Sequence, residues 1–118
     1  MSNARDMKRI LGRIYKQESL AGIDLRNLYL SSMDFSSLEL RRADLTGCCL
    51  NHALLDDCDL TDANLTGAKL SHASLNGAKL SGAILVGVLA DGASFKGATG
   101  LEPSTKAYLK TRGAKDVD

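Results

Sequence analysis

Five aspartates crowd the middle of the sequence, Asp44, Asp56, Asp57, Asp59 and Asp62, and two histidines, His52 and His72, stand near them with Cys49 close by. Neighbouring carboxylates are the raw material of general acid/base chemistry, in which a positioned side chain gives or takes a proton. Imidazoles with a thiol are the raw material of a metal site, which wants three or four ligands in a defined polyhedron. Two histidines alone fall short of that number, and the thiol joins them only if the fold brings it there. No Gly-rich phosphate loop, zinc-ligand spacing or nucleophile elbow stands elsewhere in the chain. What these residues do therefore depends on the backbone that carries them.

That backbone is written in fives. From Glu18 to Gly97 one five-residue unit repeats sixteen times without an insertion, and such self-similarity outranks any local motif. Every fifth residue from Leu20 to Phe95 is leucine, apart from Phe35, Ala90 and Phe95. Two residues before each stands a second register, Ala at 43, 53, 63, 68, 73, 78, 83 and 93, Cys at 48 and 58, and the bulkier Ile23, Leu28, Met33 and Leu38 early in the array. In an α-helix, leucines five apart would step about 140° around the axis and form no buried stripe. In an unbroken strand an odd spacing would throw them to alternate faces. The pattern becomes coherent if the chain runs extended for about three residues and then turns a corner, so that both registers point inward. Eight of the eleven glycines lie two residues after the central position, where the register otherwise holds mainly Asn27, Ser32, Ser37, His52, Asp57, Asp62 and His72, all suited to turns.

Ala43-Asp44-Leu45-Thr46-Gly47 and Ala63-Asn64-Leu65-Thr66-Gly67 fit the motif of a small residue, Asp or Asn, Leu and two variable residues, and Cys58-Asp59-Leu60-Thr61-Asp62 nearly does. The chain thus resembles the pentapeptide-repeat family over about two thirds of its length. The resemblance implies an all-β solenoid, a right-handed quadrilateral β-helix with one pentapeptide per side, twenty residues per coil and about four coils, some 20 Å of rod at the inter-strand spacing.

Length and composition agree with one soluble domain: 118 residues, 15 basic and 14 acidic, with almost no aromatics. No apolar run is long enough for a membrane span, and the N-terminus lacks the apolar core of a secretory signal, so the cytoplasm is the expected compartment. Charge is uneven: residues 1–17 carry +4 (Arg5, Lys8, Arg9, Arg13 and Lys16 against Asp6), residues 18–97 carry −4, and residues 98–118 carry +1.

Three segments are expected. Residues 1–17 form a basic amphipathic helix whose Met7, Ile10, Leu11, Ile14 and Tyr15 make one face. It caps the first coil, whose apolar interior would otherwise meet water, or serves an anionic partner or membrane surface; the cap is the primary reading. Residues 18–102 form the repeats, with regular coiling from about Ile23. Residues 103–118 hold a second capping helix from Pro103 to Arg112, with proline first and Gly113 just past the end, and a frayed tail over 114–118.

Stacking in twenties makes His52 and His72 neighbours about 5 Å apart on one corner, sets Arg42 over Asp62, and aligns Glu39, Asp59 and Lys79. Cys48 and Cys58 point inward as compact apolar groups, and Cys49 outward, so no disulfide framework is expected. A convex rod has no evident cleft to dry the carboxylates, so neither catalysis, cofactor nor metal is expected. Arg41, Arg42, His52, His72, Asp56, Asp57, Asp59 and Asp62 are outward surface candidates. Ile84, Val86 and Leu89 lie in outward registers of the last coil; together with Tyr108 and Leu109 they are candidate contacts for a partner or for a homodimer through the C-terminal end, unless the C-terminal segment covers them. The leading function is a non-enzymatic module that presents a rigid polar surface to a protein partner. The alternative, a DNA mimic that binds gyrase, a type II topoisomerase, comes from quinolone-resistance members of the family and needs a strongly acidic surface, which −4 scarcely provides. Nucleic-acid binding is not expected, because the repeats would repel phosphate.

Overall fold

In the computed structural model, which describes residues 4–118, the chain turns at every fifth residue from Leu20 onward. Residues 1–3 of the expected 1–17 segment and the side chains of Arg5 and Asp6 lie outside the described residues. At each corner the N–H of the inward small residue returns to the central carbonyl three residues earlier, as in Ala43 to Leu40 (3.1 Å), Ala53 to Leu50 (3.0 Å) and Ala63 to Leu60 (3.0 Å). The third residue of the turn has positive φ, for example 58° at Arg42, 63° at His52 and 60° at Asp62, whereas the second does not. This combination defines a type II β-turn. It explains why the corner register is filled by Gly, Asn, Asp and Ser.

Between corners the chain pairs with itself twenty residues later, always in parallel. Four columns of single bridge pairs result: Asp24, Asp44, Asn64 and Ile84; Tyr29, Cys49, Lys69 and Leu89; Asp34, Leu54, Ser74 and Ser94; Glu39, Asp59, Lys79 and Thr99. Each paired segment is too short to make an extended strand, because the next corner interrupts it. Backbone polar groups are nonetheless satisfied from coil to coil: Asn64 donates its N–H to Ala43 (2.9 Å), and Leu65 donates to Ile84 (2.8 Å). Pairing starts at Leu20, whose N–H reaches Glu39 (3.0 Å), one repeat earlier than the expected start near Ile23.

The interior is a column of leucine and alanine. Leu45, Leu50, Leu55 and Leu60 are all buried, as are Ala43, Ala53 and Ala63; each buried leucine is worth about 1.5–3 kcal/mol in transfer free energy. In the last coil the sizes exchange places. Ala90 replaces the central leucine while Val88 replaces the small residue, and both are buried, so the volume is kept.

Helix α1 (Ala4–Tyr15) lays Ile10 fully into the core, with Met7 and Ile14 packed beside it. Leu11 and Tyr15, expected on the same face, are 49% and 89% exposed. They lie one residue past Ile10 and Ile14, about 100° further round the helix, which is enough to leave the contact. Arg13 fixes the exit of α1 by donating to the Ser19 carbonyl. Helix α2 (Pro103–Thr111) buries Leu109. The tail does not fray as the sequence suggests. Lys115 pairs in parallel with Ser94, and Val117 is buried, so backbone bonds and an apolar anchor hold the segment.

Candidate functional site

The aspartates are turn builders before anything else. Asp44, Asp59 and Asn64 each use Oδ1 to accept the N–H and the hydroxyl of the threonine two residues on: 3.1 and 2.6 Å for Thr46, 3.1 and 2.6 Å for Thr61, 3.0 and 2.6 Å for Thr66. In Asp59 these bonds stabilise the charged carboxylate, and the hydroxyl of Thr61 is the main reason that it is held below its ordinary range. Asp24 is held lowest, at about 2, by a two-pronged grip from the Arg26 guanidinium at 3.0 and 2.9 Å. Asp24 and Asp59, held this way, are poor proton donors at neutral pH.

Asp56 plays a role that sequence reasoning missed. Its Oδ1 accepts the Asn76 N–H (2.9 Å) and the Ser74 hydroxyl, and Asn76 Oδ1 in turn accepts the Lys96 N–H (3.0 Å) and the Ser94 hydroxyl (2.6 Å). Asn51 does the same to the Ser71 N–H at 3.0 Å. The signal was present as Asn or Asp in one register twenty residues apart, but it has meaning only once coils are stacked.

The corner residues form columns of their own. His52 and His72 stack with ring centroids 5.2 Å apart. The next coil offers Gly92, where an added Cβ would come within 2.5 Å of His72 Nδ1. Asp57 and Asp62 likewise extend over Gly77 and Gly82. His72, Asp57 and Asp62 thus lie over glycine in the following coil. The described residues contain no group of three or more His, Cys, Asp or Glu placed to hold a metal ion.

The other surface candidates disperse rather than converge. Arg41 approaches Asp59 at 3.5 Å, replacing the Arg42–Asp62 pair expected from register, while Arg42 occupies a corner and faces solvent. Cys48 and Cys58 donate to the carbonyls of Leu25 (2.6 Å) and Phe35 (2.7 Å), and burial pushes their thiols up to about 11 and about 12. Cys49 lies 3.0 Å from the Ser31 hydroxyl, which lowers its pKa. Ser31 is remote in sequence, so this partner was invisible there.

A concave feature lies at the last coil. A groove of about 390 Å³ is formed by residues 83–87 on one side and Ser104, Thr105 and Tyr108 of α2 on the other. None of its lining residues is charged. Ile84 and Leu89 remain partly exposed and Val86 is 68% exposed, so the C-terminal segment does not cover this apolar face. Tyr108 leans back onto the coil, its hydroxyl donating to Val88 at 3.1 Å, with the Arg112 guanidinium 5.5 Å from its ring. Leu109, expected as a contact, is fully buried beneath α2 and is a core residue. Leu54, not singled out from the sequence, is exposed on an outward face.

The family model of pentapeptide repeats matches residues 19–57 and 58–97 in eight copies. Among solved structures, alr5209, a pentapeptide repeat protein from Nostoc PCC 7120, is 23% identical, covers 92% of this chain and 94% of its own, and superposes with a TM-score of 0.52. AT2G44920, a pentapeptide repeat protein from the Arabidopsis thaliana thylakoid lumen, is 32% identical over 75% of this chain and 80% of its own, with a TM-score of 0.33. Rfr23 from the cyanobacterium Cyanothece 51142 is 25% identical over 78% of this chain and 93% of its own, at 0.37. A comparison with the curated proteins finds no match. Repeat matches across residues 19–97, with a turn at every fifth residue and backbone partners twenty apart, make this chain a member of the pentapeptide-repeat family, a right-handed β-helix solenoid.

Proposed function

We propose that the protein is a non-enzymatic scaffold: a four-sided tube of about four coils, capped by α1 and α2, that presents a rigid polar surface to a protein partner. The observation that carries this reading is the pinning of outward side chains. Asp44, Asp59 and Asn64 are tied to their own turns, and Asp56 and Asn76 to the next coil, so their positions are fixed before any partner arrives. A pre-organised surface loses little side-chain entropy on binding, which is what recognition by a flat face requires. The −4 of the repeats is too modest to favour a duplex-DNA mimic aimed at a topoisomerase. Leu89, exposed and outside the groove of residues 83–87, supports an additional end-to-end homodimer.

Crosslinking and quantitative capture from source cells test the scaffold reading. Wild-type protein is expected to retain a specific partner, and Arg41→Glu with Asp59→Lys to release it while the circular dichroism of the fold is kept. Capture that is indifferent to substitutions on every face overturns it. Light scattering of wild type and Leu89→Lys tests the dimer.

A further inference from the structure

The edge that another coil would cover is closed on one wall and open on the opposite one. On the closed wall the tail lies along residues 92–95: Lys115 donates its N–H to Ala93 (2.7 Å), Phe95 donates to the Lys115 carbonyl (3.0 Å), and Gly92 donates to Gly113 (3.0 Å). Two corners earlier the equivalent groups are the Ala83 carbonyl and the Leu85 N–H, followed by the Gly87 N–H. Among the described residues none of the three has a hydrogen-bond partner. One coil before, every counterpart is paired: the Ala63 carbonyl takes the Ile84 N–H (2.9 Å), Leu65 donates to Ile84 (2.8 Å), and Gly67 donates to Val86 (2.8 Å).

The chain itself vacates this position. The twenty-residue register assigns residues 103–105 to it, but they form the first turn of α2, which begins at Pro103. Between the vacated edge and α2 lies the groove of about 390 Å³, within the range of about 300–1,000 Å³ typical of ligand sites. Unpaired strand edges are templates for another segment, and the tail on residues 92–95 is a worked example of that addition within the same molecule.

We infer that residues 83–87 are a docking edge for an extended, uncharged, apolar peptide from a partner protein, which adds as a parallel strand. Parallel direction follows from the thirteen pairings among the described residues, all parallel. The peptide residue over Ile84 donates to the Ala83 carbonyl and accepts from Leu85, and the carbonyl two residues later accepts from Gly87. Its neighbours point inward, a small residue over Ala83 and a larger apolar one over Leu85, toward Tyr108. A charged side chain there would lose its water without gaining a partner. This inference goes beyond the display of the flat faces, and substitutions at Arg41 or Asp59 leave it untouched.

The test uses the full chain and a fluorescein-labelled peptide Gly-Ala-Val-Leu-Thr-Gly-amide, followed by anisotropy and amide hydrogen exchange. Saturable one-to-one binding is expected, with exchange of the Leu85 and Gly87 amides slowed about tenfold or more in the complex. Methylating the valine nitrogen of the peptide, which removes the donor to Ala83, is expected to weaken binding by about tenfold or more. Val86→Asp is expected to weaken it comparably at an unchanged thermal midpoint. Absence of saturable binding overturns the inference, and so does equal binding of the methylated peptide. Concentration-dependent protection of the Leu85 and Gly87 amides without peptide overturns it as well, since the occupant is then a second copy of the chain.

Discussion

The imidazole rings of His52 and His72 stack one coil apart, 5.2 Å between centroids and 14° from parallel, on residues whose φ values are 63° and 59°. A side chain here serves a corner first, and only residues that tolerate the left-handed region fit. His72→Val is expected to destabilise by about 1–2 kcal/mol, because a β-branched residue is strained at that φ, while His72→Asn stays within about 0.5 kcal/mol. Urea melts of both variants check this. Zinc is expected to leave the thermal midpoint and both histidines' chemical shifts unchanged, as two ligands do not complete a site.

Glycine substitutions should separate strain from collision. Gly67 has φ of +68° and open space where a Cβ would go, so Gly67→Ala costs about 1 kcal/mol, from backbone strain alone. Gly100 has φ of +88°, and its Cβ would collide with the backbone of Ser81, which cannot swing aside. Gly100→Ala is expected to cost about 3 kcal/mol or more, from strain and overpacking together. Denaturation midpoints in that order, Gly67→Ala well above Gly100→Ala, are the expected result.

Adjacent leucines have opposite fates. Leu55 is fully buried in the axial column and Leu54 faces outward, so Leu55→Ala is expected to lose about 2–5 kcal/mol and Leu54→Ala less than about 1 kcal/mol. The same contrast holds on α1: Ile10→Ala is expected to lose about 2 kcal/mol or more, and Tyr15→Ala almost nothing. Chemical denaturation of the four variants measures it.

Thiol chemistry should distinguish the three cysteines and set the alkaline limit. Cys49, half-buried and with a lowered pKa, is expected to react with a disulfide reagent in the native protein, and Cys48 and Cys58 only on unfolding. The folded state holds Cys48 and Cys58 neutral up to about 11 and about 12, whereas the unfolded chain ionises them near the ordinary thiol value. Their contribution is complete below that value and lost as pH rises from about 9 toward 11 and 12. The acid side mirrors it: depressed Asp24, Asp34 and Asp59 contribute above about pH 4 and fade as pH falls toward their folded values, about 2 for Asp24. Thermal midpoints across pH, with Cys48→Ala flattening the alkaline limb, test both.

The five-residue beat by itself determined the corners, the inward leucines and the turn-forming register at Asn27, Asp57, Asp62 and His72, because no helix or continuous strand can bury every fifth residue on one axis. It also made His52 and His72 neighbours once twenty residues were taken as one coil. The tertiary structure decided what lies between coils and at the ends. Asp56 reaching Asn76, Ser31 beside Cys49, and Arg41 chosen by Asp59 depend on side-chain directions that a register does not contain. At the C-terminal end the repeat stops, and nothing periodic says that Leu109 is core, that Lys115 closes the edge at Ser94, or that residues 83–87 are left open. Repetition carries information only about what repeats; the places where it breaks are settled by packing.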